Sequence, residues 1–296
     1  MKILVAGSSG FIGQALLVEL SKQEHQVSRL VRRPTQSQEE IQWDPTSGKL
    51  DPKQIEGFDA IIHLGGAGVA DKIWTKKYKD LILKSRTEST KTLCQAITLC
   101  QTKPKVFICS SGVNYYGSQS QENLTEKSSI GKSFLAHVCE QWEKASEELD
   151  HLSVRRVLLR TGVVLDPSGG MLAKTMPIFK MGLGGNIGMG QRHFPWISLV
   201  DSIKVITHCL EDDSLQGPVN MTAPEIITNQ KFTRTLAKHL KRPSIFPVPT
   251  MIFKLLPKEM ADDLFLCDLK VQPEKLINSS FVFTHPNINS LLKAPS

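Results

Sequence analysis

The tightest constraint on this chain lies in its first thirteen residues. Ile3 to Ala6 is a short apolar run that reads as a buried strand. It breaks into Gly7, Gly10 and Gly13, and an amphipathic helical pattern follows at once through Ile12, Ala15, Leu16, Val18 and Leu20. Dinucleotide binding needs that order of parts. Gly7 permits a sharp turn out of the strand, Gly10 leaves no side chain in the path of a pyrophosphate, and Gly13 lets the helix lie close to the sheet. The amide groups and positive dipole end of the helix then face the phosphates. The plainer alternative is an ordinary glycine-rich strand–helix turn.

The 296 residues suffice for a sizeable core, arranged as one large domain or as a domain plus a lobe. The net charge of +7 is compatible with an anionic ligand or surface. No block of consecutive Lys/Arg with interleaved aromatics occurs, so nucleic acid is not an expected partner. Cys94, Cys100, Cys109, Cys139, Cys209 and Cys267 form no C-x-x-C pair, which reads as free thiols and no metal site. The amino end enters a strand almost immediately and no apolar run spans a bilayer, so a cytoplasmic protein without a membrane partner is expected.

Strand and helix patterns alternate over the first half. Strands are expected at 26–31, 42–45, 59–64, 105–109 and 154–159, with helices over about 75–99 and 133–149. The right-handed crossover rule turns that alternation into a doubly wound parallel α/β sheet with its crevice at the strand carboxyl ends. Beyond it the segments shorten, a glycine-rich loop runs from Gly182 to Gly190, and prolines accumulate at 243, 247, 249 and 257. The expected division is a Rossmann dinucleotide domain over 1–165 and a smaller C-terminal α/β lobe over 166–296. Part of that lobe returns to the sheet, and substrate is held between the two.

An NAD site usually carries an acid at the end of the second strand, to accept from the ribose 2′-OH. Here that place holds Arg32 and Arg33. Guanidinium groups suit a 2′-phosphate, which a carboxylate would repel, so NADP(H) is the expected cofactor. Two arginines merely exposed at a strand end are the alternative.

Taken together, these blocks resemble the extended short-chain dehydrogenase/reductases. More narrowly, they are similar to the atypical branch described as an epimerase family of NADP-binding proteins. The resemblance covers nearly the whole chain. It rests on Gly7–Gly13, Arg32-Arg33-Pro34, Trp43-Asp44-Pro45, Phe58-Asp59-Ala60 with His63 to Gly68, Trp74-Thr75, and Ser85-Arg86 with Thr90. It continues through Ser110 to Gly117, Phe134 to Glu143, Phe194 to Ile197 with Asp201, Asn220 with Thr222 to Pro224, and Val271 to Pro273 with Lys275-Leu276. The resemblance implies cofactor contacts from Gly7, Gly10, Phe11, Ile12, Gly13, Arg32, Arg33, the turn His63-Leu64-Gly65-Gly66, Ser110 and Arg86. Arg86 reads either as a phosphate ligand or as a solvated helix charge.

Short-chain dehydrogenases use a tyrosine as proton carrier, with a lysine four residues on that lowers the phenol pKa. The helix that should supply the pair begins Phe134-Leu-Ala-His-Val138, so the usual dyad is absent. Ser110 or Ser111 would orient the substrate oxygen, with Ser111 the first choice. Tyr116 is the first choice of proton carrier, ahead of Tyr115, Lys132 and His137. A packing role for Tyr116 is the competing reading. In the second half, Arg192 and His193 suit an anionic group, while Trp196 and Phe194 either stack on a ring or anchor the lobe. Two functions remain open. One is an oxidoreductase or nucleotide-sugar epimerase-like enzyme on a small polar substrate. The other is a catalytically silent NADP(H) sensor or interaction protein. Either would be a monomer or homodimer.

Overall fold

The computed structural model describes residues 1–245 and 247–293, and the backbone alone at 120–122. In chain order the first elements are β1 (Lys2–Ala6), α1 (Phe11–Lys22), β2 (Gln26–Val31), β3 (Glu40–Gln42), β4 (Ala60–His63), α2 (Lys76–Leu99), β5 (Val106–Gly112), β6 (Gln119–Leu124) and α3 (Phe134–Lys144). Next come β7 (Arg155–Thr161), β8 (Val163–Asp166), α4 (Gly170–Lys180), β9 (His193–Phe194), β10 (Trp196–Ser198), α5 (Leu199–Glu211), β11 (Gly217–Met221) and β12 (Ile227–Thr228). The chain closes through α6 (Asn229–His239), α7 (Lys258–Leu264), β13 (Leu269–Val271), α8 (Glu274–Asn278) and α9 (Ile288–Lys293).

Two compact units share these elements. The first comprises Met1–Ser111, Val138–Leu159 and Ile203–Val219; the second comprises Gly112–His137, Arg160–Ser202 and Asn220–Ser296. The dominant feature is a seven-stranded parallel sheet flanked by helices, in the order β11-β7-β5-β4-β1-β2-β3. Ile3 lies opposite Val27 on one side and Ala60 on the other. The order reverses at β1, since the chain leaves it for β2 and β3 and then crosses back to β4. That reversal makes the ends of β1 and β4 the switch point of a doubly wound sheet, with Ala6 opposite His63.

Continuous apolar runs form these strands because both sheet faces are covered. Ile3 to Ala6 and Ala60 to His63 are all buried. One core cluster of the first unit joins Leu4, Ile61 and Phe107 to Leu93 and Ile97 on α2 and to Trp142 on α3. Each such aliphatic side chain contributes about 1.5–3 kcal/mol on burial. α2 starts where Thr75 accepts from the Tyr78 amide, a side-chain N-cap.

Three boundaries move relative to the sequence reading. The third strand is Glu40–Gln42, because Asp44 turns away to exchange backbone bonds with Lys49 and Pro45 lacks a donor. The helix expected to reach Leu149 stops at Lys144; Ser146 bonds back to the Glu143 carbonyl, and a 3₁₀ turn takes over at Glu147–His151. Strand five runs on to Gly112.

The second unit holds three short pairings: β8 with β10, β9 with β12, and β6 with β13. Its main core packs Leu165, Phe179 and Trp196 against Phe232 and Leu236 of α6 and Ile288 of α9. Among the described residues no helix is long and apolar enough to cross a membrane, and no group of three or more His, Cys, Asp or Glu could hold a metal ion. All six cysteines are free.

Candidate cofactor site and proton-transfer residues

In the first unit, the three glycines of the turn from β1 to α1 serve different ends: two admit backbone and one borders open space. Gly7 adopts φ +82°, and a Cβ there would lie 2.7 Å from the Leu64 carbonyl carbon and the Gly65 nitrogen. The first turn and the turn after β4 therefore touch through bare backbone. A Cβ on Gly13 would run into the Gly7 carbonyl and the Ser8 backbone, so this glycine is what lets α1 sit down on the turn. A Cβ on Gly10 would meet only the Gly7 oxygen, at 3.3 Å, and otherwise open space. Gly10 is the N-cap of α1, offers no side-chain cap, and is followed by no acid in the first turn. The amides of Phe11, Ile12 and Gly13 thus begin a helix whose positive end carries no protein anion. A pyrophosphate fits that cradle in both shape and charge.

The turn after β4 is braced from behind. Leu64 donates to the Ala6 carbonyl at 2.8 Å, and Ala67 donates to Ser85 Oγ at 3.0 Å. His63 is fully buried between the edges of Trp43 and Trp142, with Nε2 2.9 Å from Ser89 Oγ. Ser89 itself donates to the Ser85 carbonyl, so His63 Nε2–H is the donor. Burial, with Arg86 nearby, pushes the His63 pKa down to about 3. His63 is a neutral brace, and what this turn can offer a cofactor is Leu64, Gly65 and Gly66. Arg86 donates to the Ile82 carbonyl at 2.9 Å and lies over the Trp142 ring at 4.9 Å. Its guanidinium presses on Gly66, where a Cβ would come within 3.0 Å of Cζ.

The two arginines after β2 differ. Arg33 grips Glu40 with both guanidinium nitrogens, at 2.8 and 2.7 Å, and Arg29 adds a contact at 3.1 Å. The Gln36 amide also donates to Glu40. The Arg33 hydrogen bonds hold the Glu40 carboxyl down at about 2. Arg32 is exposed and makes no hydrogen bond or ion pair among the described residues. It is the guanidinium available to a 2′-phosphate, and Glu40 is a residue the sequence reading missed: nothing local marks an acid as the partner of an arginine seven residues earlier.

Of the two serines on β5, Ser111 is buried and donates to Glu143 Oε1 at 2.7 Å, while Ser110 is half-buried. Strand alternation puts them on opposite faces. The preferred substrate-orienting serine is therefore turned onto a buried carboxylate, which the sequence reading did not anticipate.

Tyr116, in the second unit, is fully buried. Its hydroxyl donates to Asn220 Oδ1 at 2.6 Å and accepts from Arg160 at 3.1 Å. Burial pushes the phenol up to about 12, against the opposing pull of Arg160. Arg160 also lies 3.4 Å from the Tyr115 ring centroid. A proton-carrier role for Tyr116 requires this cluster to open. Lys132 and His137 are exposed, Phe134 is half-buried and Val138 is buried.

Arg192 is half-buried; its carbonyl accepts from the Asn229 amide at 2.8 Å, while its guanidinium makes no hydrogen bond or ion pair among the described residues. His193 beside it is held by Asp268, which lies 2.7 Å from ring Nδ1 and accepts from the backbone amide at 2.8 Å. Trp196 is 1% exposed inside the second unit's core, and Phe194 packs on Phe232 at 5.2 Å. Both aromatics anchor the unit, and at 1% exposure Trp196 presents no free face on which a ligand ring could stack. Asp201 is buried too, accepting from Ser198 Oγ and the amides of Thr284 and His285.

Residues 3–158 match the family described as the NAD dependent epimerase/dehydratase family, and residues 248–294 match a domain of unknown function, DUF1731. The chain is 36% identical over 290 residues to the epimerase family protein Mb2239 of Mycobacterium bovis, covering 98% of this chain and 96% of that one. It is 31% identical over 296 residues to human epimerase family protein SDR39U1, covering 99% of each. The crystal structure of human SDR39U1 isoform 2 with NADPH superposes with a TM-score of 0.90 over 99% of this chain and 98% of that one, at 32% identity. The nucleoside-diphosphate sugar epimerase of Corynebacterium glutamicum superposes with a TM-score of 0.82 at 29% identity, over 99% of this chain and 57% of that one. The chain belongs to the NAD dependent epimerase/dehydratase family, in the group of epimerase family proteins that includes human SDR39U1.

Proposed function

We propose that this protein binds NADP(H) and acts as an oxidoreductase or nucleotide-sugar epimerase-like enzyme on a small polar substrate. The observation that carries the reading is the uncapped, acid-free start of α1 over Gly7, Gly10 and Gly13, with an unpaired Arg32 at the end of β2 in the same unit. A human relative of 31–32% identity has been solved with NADPH, which supports the same choice.

In this reading Gly7, Gly10 and Gly13, with the amides of Phe11 and Ile12, hold the pyrophosphate. Arg32 pairs with the 2′-phosphate, and Arg33 is kept beside it by Glu40. Leu64, Gly65 and Gly66 border the adenosine side, with His63 and Arg86 fixing their backbone. When bound, the nicotinamide supplies reversible two-electron chemistry at a hydroxyl-bearing or carbonyl carbon. Residues 1–165 serve mainly the cofactor and 166–296 mainly the substrate. Arg192, with its unpaired guanidinium, meets an anionic group such as the diphosphate of a nucleotide sugar. Ser110 and Ser111 remain candidates to hold the reacting oxygen, and Tyr116 to carry the proton once its cluster opens. Unbridged thiols accord with a reducing, cytoplasm-like compartment.

Titration calorimetry with NADPH and NADH, followed by product analysis with UDP-glucose and UDP-glucuronic acid, tests the reading. Turnover abolished by Tyr116→Phe supports the enzyme as written. A catalytically silent sensor is the second reading, favoured by Phe134 and Val138 at the usual dyad positions and by the sequestered Tyr116 hydroxyl. Tight NADPH binding without turnover of any of these sugars would select it.

A further inference from the structure

The positive charge of this chain is concentrated. Residues 167–200 and 226–258, all in the second unit, carry ten lysines and arginines and no aspartate or glutamate. That surplus exceeds the net +7 of the whole protein, so the remaining residues are net acidic. Of the ten, only Lys231 is ion-paired among the described residues, to Glu225 at 2.7 Å. Lys180, Lys241, Arg242, Lys254 and Lys258 are exposed.

The same two stretches hold nine of the large apolar residues that stand in solvent, among them Met181, Leu183, Met189, Ile245, Met251 and Leu255. Met189 is 81% exposed and Leu255 87%, values far beyond a chance edge of a core residue. The stretches are neighbours in space. Gly188 donates to the Val248 carbonyl at 2.9 Å, Val248 donates to the Asn186 carbonyl at 2.7 Å, and Gly182 abuts Pro243. The result is one surface on which exposed Met, Leu and Ile side chains alternate with unpaired cations: Lys180 precedes Met181, and Lys254 precedes Leu255. A patch of this composition marks an interaction site.

We propose that this face of the second unit docks on an anionic lipid surface. Apolar side chains enter the headgroup boundary, and flanking cations pair with lipid phosphates, as interfacial protein surfaces do. The charge surplus is the telling point. Among the described residues, nine cations in these stretches have no ion pair, against the exposed acids Glu259 and Asp262 of α7, which packs beside residues 250–255 through the Phe253–Phe265 stack. A negatively charged membrane attracts such a surplus. Surface attachment of this kind requires no spanning helix, and it departs from the sequence expectation of no membrane partner, which rested on the lack of a spanning run.

Flotation of the full chain with vesicles tests the proposal. Vesicles of phosphatidylcholine and phosphatidylglycerol at about 3:1 should carry the protein, phosphatidylcholine alone should not, and about 0.5 M salt should release it. Arg242→Glu with Lys254→Glu should weaken binding by about tenfold or more, and Met251→Asp with Leu255→Asp should do the same. All four positions are exposed, so both double variants should keep the wild-type melting temperature and the wild-type affinity for NADPH. The proposal is overturned if wild-type protein stays unbound at low salt, if it binds neutral vesicles equally well, or if both variants bind as wild type does. It is also overturned if light scattering shows that the Met251/Leu255 variant turns a stable dimer into a monomer, since the occupant is then a second copy of this chain.

Discussion

Arg33 and Glu40 form a two-pronged ion pair across the β2–β3 edge, with nitrogen–oxygen distances of 2.8 and 2.7 Å. The pair separates two arginines that are equivalent on paper. Arg33 is committed to protein, and Arg32 is left with its charge unspent. Replacing Arg32 by Ala should weaken NADPH by about 10–100-fold, the loss of one charge-assisted contact, and leave NADH within about twofold. Replacing Arg33 by Ala should act first on stability, because Glu40 would lose its main partner in a nearly closed site. Calorimetry on both variants with both nucleotides checks this; equal losses for NADPH and NADH in Arg32→Ala would remove Arg32 from the phosphate.

Gly10 and Gly13 should behave oppositely on substitution by Ala. At Gly13 the added methyl collides with rigid backbone, and the expected result is a loss of on the order of 3 kcal/mol of stability. At Gly10 the methyl meets only the Gly7 carbonyl oxygen, at 3.3 Å, so Gly10→Ala should melt close to wild type yet bind NADPH at least about tenfold more weakly, because the methyl stands where a phosphate belongs. Thermal melts with and without NADPH separate the two outcomes.

The Tyr116 hydroxyl serves Asn220 and Arg160 inside a closed cluster. Tyr116→Phe leaves both buried partners short of a bond and should cost about 1–3 kcal/mol in denaturant melts. Its phenol is pushed up to about 12 from an ordinary 10.0, so the folded state favours the protonated form. The contribution is whole below pH 10 and is lost as pH rises from 10 towards 12. Ultraviolet titration should show Tyr116 ionising well above pH 10; ionisation below pH 10 would contradict the burial.

His63 has its pKa pushed down from 6.5 to about 3, so folding favours the neutral ring. For a base lowered by folding, stability is whole above pH 6.5 and falls as pH drops from 6.5 towards 3, because the unfolded chain takes up the proton first. Ring resonances of His63 should stay fixed between pH 7 and pH 4 while those of an exposed histidine move. His63→Asn should loosen the 64–66 turn and lower NADPH affinity without touching the nucleotide.

The glycine order after β1 and the arginines after β2 were legible because they are local. A strand, a tight turn and a helix start within thirteen residues leave few conformations, and strand ends are marked by the loss of apolar residues. Glu40, Glu143, Asn220 and Asp268 were not legible. Each acts through a partner that a turn or a distant segment brings near, and a lone polar residue carries no sign of that partner. Ser111 shows the limit within one strand: alternation fixed that two adjacent serines diverge, but not which one would meet a buried carboxylate. Tyr116 looked available because its tract directly follows strand five, while Arg160 and Asn220, which close over it, lie 44 and 104 positions away.

The most direct measurement is a calorimetric titration of the folded, unmodified chain with NADPH and, separately, with NADH. The cradle over α1 and the free Arg32 require NADPH to bind, and to bind at least about tenfold more tightly than NADH. No heat with either nucleotide, or equal affinities for the two, would contradict the account.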